Sequence, residues 1–242
     1  MLIRTMFLSI LASALLGSAF AAGDLTHKTV TFDRSKKGNW DAKFKVAQFQ
    51  GGSVLARAAN AAMLDAAEKR IAKFQKESRE LRKDFHEDRD YTYDEAPTVG
   101  LAIEGLIVVV TDVGSYTGGA HPYSYPVFDN WGIVDGKPAK LRLQDLLIRG
   151  RKDAEAVSRL VMGKLAKIDR ADWVQDGSVR ELDKVTENSF TITKKGLQYT
   201  FAAYVMGCYA SGPIDVDLSW SELRGLVNPN GPLKPLFAGK SR

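Results

Sequence analysis

The sequence predicts an α+β fold. Two patterns carry that prediction. Apolar residues alternate with period two in several short segments, and they recur at spacings of three and four in two longer ones. The chain has 242 residues, enough for one large domain or two small ones with a substantial core.

The strand segments begin at Lys28–Arg34, where Val30 and Phe32 share a face. In Asp41–Gln48, Ala42, Phe44 and Val46 face one way, with Lys36-Lys37-Gly38-Asn39 as the turn before it. Gly51-Gly52-Ser53 then introduces a helix of about nine turns, with Ser53 as N-cap. Its stripe is Leu64, Ala67, Ile71, Phe74, Leu81 and Phe85, skipping one turn at Ser78. Between Glu68 and Asp90 eight basic residues nearly balance seven acidic ones, which reads as a solvated helix face.

Thr98–Asp112 is the most apolar stretch after the N-terminal segment. Its run Leu106–Val110 predicts a central strand covered on both faces, with Gly105 as a bulge or bend. Tyr123–Val134 reads as a strand that Pro126 confines to an edge or makes irregular. Ala139–Leu143 is a further short strand. Ala154, Val157, Leu160, Val161, Leu165 and Ile168 trace a second amphipathic helix. Phe190 and Ile192, then Leu197 to Val205, predict a hairpin whose Gly196 takes a left-handed conformation. Ile214, Val216 and Leu218 form the last strand. Ser219 and Glu222 match a capping box opening a short helix that Asn228-Pro229 stops. The rest, 228–242, reads as a loose tail.

The N-terminus has the order of a secretory signal: Arg4, an uncharged apolar stretch from Met6 to Phe20, then Ala19-Phe20-Ala21 for cleavage. That stretch is shorter than the ~20 residues a membrane-crossing helix needs. The expectation is a signal peptide at 1–21 and an extracytoplasmic mature domain at 22–242, in the periplasm or secreted. No cysteine adjoins the cleavage region, which argues against a lipoprotein anchor.

The formal net charge is +5, and removing 1–21 takes away Arg4 and no acid, leaving +4. Ordinary solubility or an anionic envelope partner both fit that value. Nothing points to nucleic acid. Cys208 is the single cysteine, so no intramolecular disulfide forms. Its apolar setting predicts a buried structural thiol. His27, His86 and His121 lack metal-ligand spacing, and no nucleophile or phosphate-loop motif is present. No cofactor is expected.

Two stretches carry a resemblance: Ser115-Tyr116-Thr117-Gly118-Gly119-Ala120-His121-Pro122, and Phe190 to Leu197 continuing through Phe201, Tyr204 and Tyr209-Ala210-Ser211-Gly212-Pro213 to the Ser219–Leu223 segment. Together they resemble the RsiV/PdaC-like extracytoplasmic domain, with 98–227 as the signature-bearing half and 22–97 as its N-terminal companion. The resemblance implies an antiparallel sheet carrying the two helices. It also implies a non-catalytic binding domain of the cell envelope, with peptidoglycan or a lysozyme-type protein as partner. The chain lacks the metal-binding HxxxH of the deacetylase relatives. Animal lysozymes are basic, so a mature charge of +4 works against the second partner.

The candidate ligand residues are Tyr116, Gly118, Gly119, His121, Tyr123, Tyr125 and Tyr209. Tyrosine is large, rigid and amphipathic, and it suits a binding surface. His121 has a plain alternative as a turn residue bonded to backbone, and Tyr123 and Tyr125 as core. Two rival classes stand beside the binding module. One is a wall-glycan enzyme using His121 with Asp112 or Asp129 as acid and base. The other is a structural factor without a small ligand.

Overall fold

The structure, a computed structural model, describes residues 24–84 and 90–238. The segment expected to be a signal peptide, 1–21, lies outside the described residues, as do Phe85 and His86. Six strands form one sheet in sequence order: β1 (His27–Asp33), β2 (Trp40–Phe49), β3 (Tyr91–Ile103), β4 (Leu106–Tyr116), β5 (Tyr123–Val134) and β6 (Lys137–Lys140). Three more, β7 (Phe190–Ile192), β8 (Gly196–Phe201) and β9 (Ile214–Ser219), form a second, antiparallel sheet. The helices are α1 (Val54–Asp84), α2 (Arg151–Leu165) and the one-turn α3 (Asp172–Gln175) and α4 (Lys234–Phe237). The fold class is α+β, as the periodicities predicted. None of the described helices is long and apolar enough to cross a membrane.

The larger sheet is mixed rather than purely antiparallel. β2 pairs with β3 in parallel, because α1 is the crossover between them and returns the chain to the end from which β2 started. Ser53 caps α1, its hydroxyl accepting the Ala56 amide at 3.0 Å. Ala59, Met63, Ala67, Ile71 and Phe74 bury one stripe against the sheet. Ser78 continues that stripe and is fully buried, so no turn is skipped there.

β4 is the central strand. Leu106 and Val108 point into a core shared with α2 and the smaller sheet, while Ile107, Val109 and Val113 point into a second core under α1. Thr98–Asp112 is a hairpin rather than a single strand. Ile103 pairs with Leu106 across a two-residue Glu104-Gly105 turn, and Gly105 has φ +85°. The register shift lies between Val99 and Leu101 instead.

β5 tolerates Pro126 for a backbone reason. Asn130 sends its carbonyl outward to the Leu141 amide, away from β4. Strand alternation puts Pro126 in the same orientation, on the stretch of β5 that β6 leaves unpaired. The missing N–H falls where no ladder bond is needed and blunts an open edge. β6 itself is displaced from its expected place and ends at Lys140, since Leu143 opens a 3₁₀ turn.

Three local expectations give way. Gly196 does not take a left-handed conformation; a Cβ there would collide with the Leu218 carbonyl, so the need is for space. The Ser219–Glu222 capping box forms, but 220–226 continues as turns rather than a helix, with Gly225 left-handed at φ +79°. The tail from 228 to 238 is folded back: Leu233 is fully buried, and Leu236 and Phe237 pack on the core beside it.

The capping box carries a pH dependence. Lys164 Nζ lies 2.7 Å from Glu222 Oε1, and Ser219 donates its amide and hydroxyl to Oε2. Lys164 first, and Ser219 second, pull this carboxyl from 4.5 down to about 2. A depressed folded pKa gives stability that is present above the ordinary value and lost as pH falls toward about 2. Thermal melts from about pH 5 down to about 2.5 should show the wild type losing its advantage over Glu222→Gln. The advantage is small because the pair is solvent-screened. A gap that does not change with pH would contradict the assignment.

Candidate functional site

The site is built by two loops, one from each sheet. After Tyr116 closes β4, Gly118 and Gly119 take φ of +92° and +91°, a conformation that costs other residues heavily. The Tyr116 hydroxyl donates to the Gly119 carbonyl at 3.1 Å and braces the turn. His121 follows. Its Nδ1 lies 3.2 Å from the Pro122 carbonyl, and a carbonyl only accepts, so Nδ1 carries the proton. Nε2 then accepts from the Tyr204 hydroxyl at 3.3 Å.

The second loop, residues 202–213, joins β8 to β9. Tyr209 lies flat on His121, with ring centroids 3.5 Å apart and planes 14° from parallel. Its hydroxyl donates to the Pro122 carbonyl at 3.2 Å. Tyr204 completes the group, 5.7 Å from Tyr209 and 6.2 Å from His121. Tyr204 has φ +67°, a left-handed residue without glycine's freedom, and such strain persists only where surrounding contacts hold it. Those contacts come from below. Met206 is buried, and its carbonyl accepts the Trp173 amide at 3.3 Å. Arg170 donates to the carbonyls of Ser211 and Pro213 at 2.8 and 3.2 Å. Gly207 passes so close to Asp172 and Arg170 that no Cβ would fit.

Of the residues singled out from sequence, His121 and Tyr209 meet, Gly118 and Gly119 shape their loop, and Tyr116 is its brace. Tyr123 and Tyr125 stand apart from the stack. They share a face of β5 toward α1, with rings 5.7 Å apart. Tyr125 packs on the α1 core, and burial pushes its hydroxyl pKa up. Tyr123 is exposed beside the loop. Tyr204 is the member of the stack that was not among the sequence candidates.

Cys208 is exposed, not buried. Its side chain turns out of the loop to Ser211, 3.4 Å from that hydroxyl. Hydrogen bonds from Ser211, side chain and backbone, hold the thiol pKa below its usual value. The acids proposed as partners for His121 are elsewhere. Its ring nitrogens meet Pro122 and Tyr204, not Asp112 or Asp129. Asp129 is six residues along β5 from Tyr123, roughly 20 Å at the ~3.3 Å rise of a strand. Among the described residues no His, Cys, Asp and Glu cluster has the makings of a metal site.

Tyr204 and Tyr209 are 47% and 37% exposed. The stack therefore presents π faces and hydroxyls on a supported surface, the chemistry of ring stacking with a flat or ring-shaped ligand. A cleft of about 550 Å³ lies away from it, beside Lys164 and the β7–β8 turn. That cleft has no aromatic lining, and Lys164 is already engaged by Glu222.

Comparison with known proteins supports the architecture. Residues 144–221 match the family described as "Protein of unknown function (DUF3298)". That span covers α2 and the smaller sheet and leaves out the loop 117–122. The fold is similar to a DUF3298 family member from Bacteroides fragilis NCTC 9343, with a TM-score of 0.60 and 17% identity over 89% of this chain and 98% of that one. It is also similar to a DUF3298 family protein from Pseudomonas aeruginosa PAO1, with a TM-score of 0.56 and 19% identity over 87% of this chain and 96% of that one. At these identities the likeness is one of fold. No curated protein matches the sequence.

Proposed function

We propose that this chain is an exported, non-catalytic domain of the cell envelope, of the RsiV/PdaC-like kind, that binds a wall-related macromolecule. The observation that carries the reading is the His121–Tyr204–Tyr209 stack: exposed rings held in fixed geometry by loops more than 80 residues apart in sequence. Ordered, exposed aromatic rings contribute to binding at little entropic cost. Peptidoglycan is the favoured ligand, because sugar rings offer apolar faces to stack and hydroxyls to bond. The export reading rests on Arg4, the apolar stretch from Met6 to Phe20 and Ala19-Phe20-Ala21.

Residues 22–242 should co-sediment with insoluble peptidoglycan. Tyr204→Ala and Tyr209→Ala should each weaken that binding about 3–10-fold, from the ~0.5–1.5 kcal/mol of a stacked aromatic pair. Undiminished retention by the double variant, folded by its melting curve, would remove the stack from the ligand surface. Binding to a lysozyme-type protein in place of the wall would keep the surface and change the partner.

A further inference from the structure

β1 is an open edge of the larger sheet. It pairs with β2, and among the described residues no strand lies on its other side. The Gln50 amide donates to the Thr26 carbonyl, and the Arg34 amide to the Ala42 carbonyl, both at 2.8 Å. These bonds fix which way the backbone of β1 turns. Lys28, Val30 and Phe32 follow Thr26 and Arg34 toward β2, while His27, Thr29, Thr31 and Asp33 turn their N–H and C=O groups outward. Among the described residues one of those outward groups is engaged: the Asp33 carbonyl accepts Arg34 Nη1 at 3.3 Å. The edge is also clear of the preceding chain. Leu25 donates its amide to the Ala102 carbonyl at 2.6 Å and Asp24 bridges Ile103, so residues 24 and 25 run past the end of β2 to β3.

Such an edge is a template for another strand, and proteins that stay single blunt it with proline, a bulge or a short strand. The free stretch of β5 has Pro126 for that purpose. β1 has seven residues, no proline and an unbroken register with β2. Val30 and Phe32 are half-buried, with Phe32 at the margin of the α1 core.

We infer that β1 is a homodimer interface, in which it pairs antiparallel with β1 of a second copy and joins the two six-stranded sheets into one. The strand's own sequence selects this occupant, because a two-fold interface must be complementary to itself. An axis at Val30 sets Thr29 against the partner's Thr31 and His27 against the partner's Asp33. All four residues turn their backbone groups outward, so donors and acceptors match across the axis. On the face away from α1, hydroxyl meets hydroxyl and imidazole meets carboxylate. On the α1 face, Val30 meets the partner's Val30, and Lys28 lies along the ring of the partner's Phe32. No like charges oppose one another. Moving the axis to Thr29 or Thr31 loses the His27–Asp33 pair, and at Thr31 it also sets Lys28 against the partner's Arg34.

Sedimentation of residues 22–242 should show a reversible monomer–dimer equilibrium with a Kd of about 1–100 µM, since one strand pair is a small interface. Thr31→Pro deletes an outward N–H that the monomer leaves unused and that the dimer needs once in each protomer. It should raise Kd about 5–150-fold, with the melting temperature at high dilution unchanged. If proline impairs folding, position 27 decides: His27→Asp should raise Kd about 2–30-fold, while His27→Lys keeps the dimer. In a Cys208→Ser background, Val30→Cys should form an intersubunit disulfide on mild oxidation, its Cα being ~4.5 Å from its mate. Lys28→Cys, roughly 13 Å from its mate along the ladder, should not. A monomer at every concentration up to about 1 mM overturns the inference and leaves the edge to an extended peptide of another protein. A dimer that is unaffected at positions 27 and 31 and forms no Val30→Cys cross-link uses another surface and overturns it as well.

Discussion

Arg70→Met should destabilise the domain by about 3–5 kcal/mol, because it strands a buried carboxylate. Glu95 sits on the inner face of β3 with its side chain 1% exposed, and Arg70 reaches it through two parallel N–H bonds. Tyr93 adds a third donor, and burial together with that bond raises its hydroxyl pKa. Removing the guanidinium leaves a negative charge in low dielectric with one neutral donor. A melting temperature lowered by about 6–20 °C is expected for a domain of this size. The cost belongs to the orphaned charge rather than to the pair as such. Replacing the trio together, with Tyr93→Phe and Glu95→Met added to Arg70→Met, should therefore recover most of the loss, since matched apolar groups often substitute for a buried ion pair at little cost. Equal melting temperatures for the single and triple variants would show that the loss comes from packing of the arginine stem instead.

This network also marks where the sequence stops being legible. The stripe Ala67, Ile71 and Phe74 announces α1, and Arg70 lies on the flank of that stripe, three residues from Ala67 and four from Phe74. Taken alone it is one more charge on a charged helix. Its partner lies 25 residues on, in a strand whose inward face reads Tyr91, Tyr93, Glu95. An acid in the third inward position breaks the apolar alternation, so the pattern announces no strand before Thr98. β4 is the opposite case. Its run from Leu106 to Val110 can only be satisfied by cover on both sides, and the two cores meet across it. The parallel pairing of β2 with β3 is a property of the crossover, which no periodicity records.

The candidate site divides in the same way. Gly118-Gly119 before a histidine, among tyrosines, was enough to find one loop, because backbone freedom and aromatic composition are written locally. That His121 would stack on Tyr209 rather than on Tyr123 depends on how the two sheets pack. Tyr204's left-handed backbone has no sequence signal, since tyrosine is not a residue that favours it. Cys208 misled for a related reason: Met206 and Gly207 beside it are buried or tightly packed, but the turn at Tyr209–Ser211 rotates the thiol outward.

Asn130→Leu should cost about 2–5 kcal/mol, although the substitution puts an apolar side chain into an apolar surrounding. Asn130 is 2% exposed, on the face of β5 turned toward the smaller sheet. Its Nδ2 donates to the Phe190 carbonyl at 2.8 Å, and its Oδ1 accepts the Ile192 amide at 3.1 Å. The side-chain amide thus copies a backbone partner for β7, which pairs with β8 on its other side. It is the polar link between the two sheets across their shared core. Without it, one buried N–H and one buried C=O on β7 lose their partners together, each at ~1–3 kcal/mol. Asn130→Asp separates the donor from the acceptor. It keeps a bond to the Ile192 amide but sets a carboxylate against the Phe190 carbonyl, so it should be at least as destabilising at neutral pH and should recover on acidification, when protonation restores a donor. Hydrogen exchange at Ile192 gives the local reading. Its amide should be protected in the wild type and exchange at least tenfold faster in Asn130→Leu, with the β8–β9 amides less affected. Protection of Ile192 unchanged in that variant would mean that β7 is held by its packing and its β8 pairing alone.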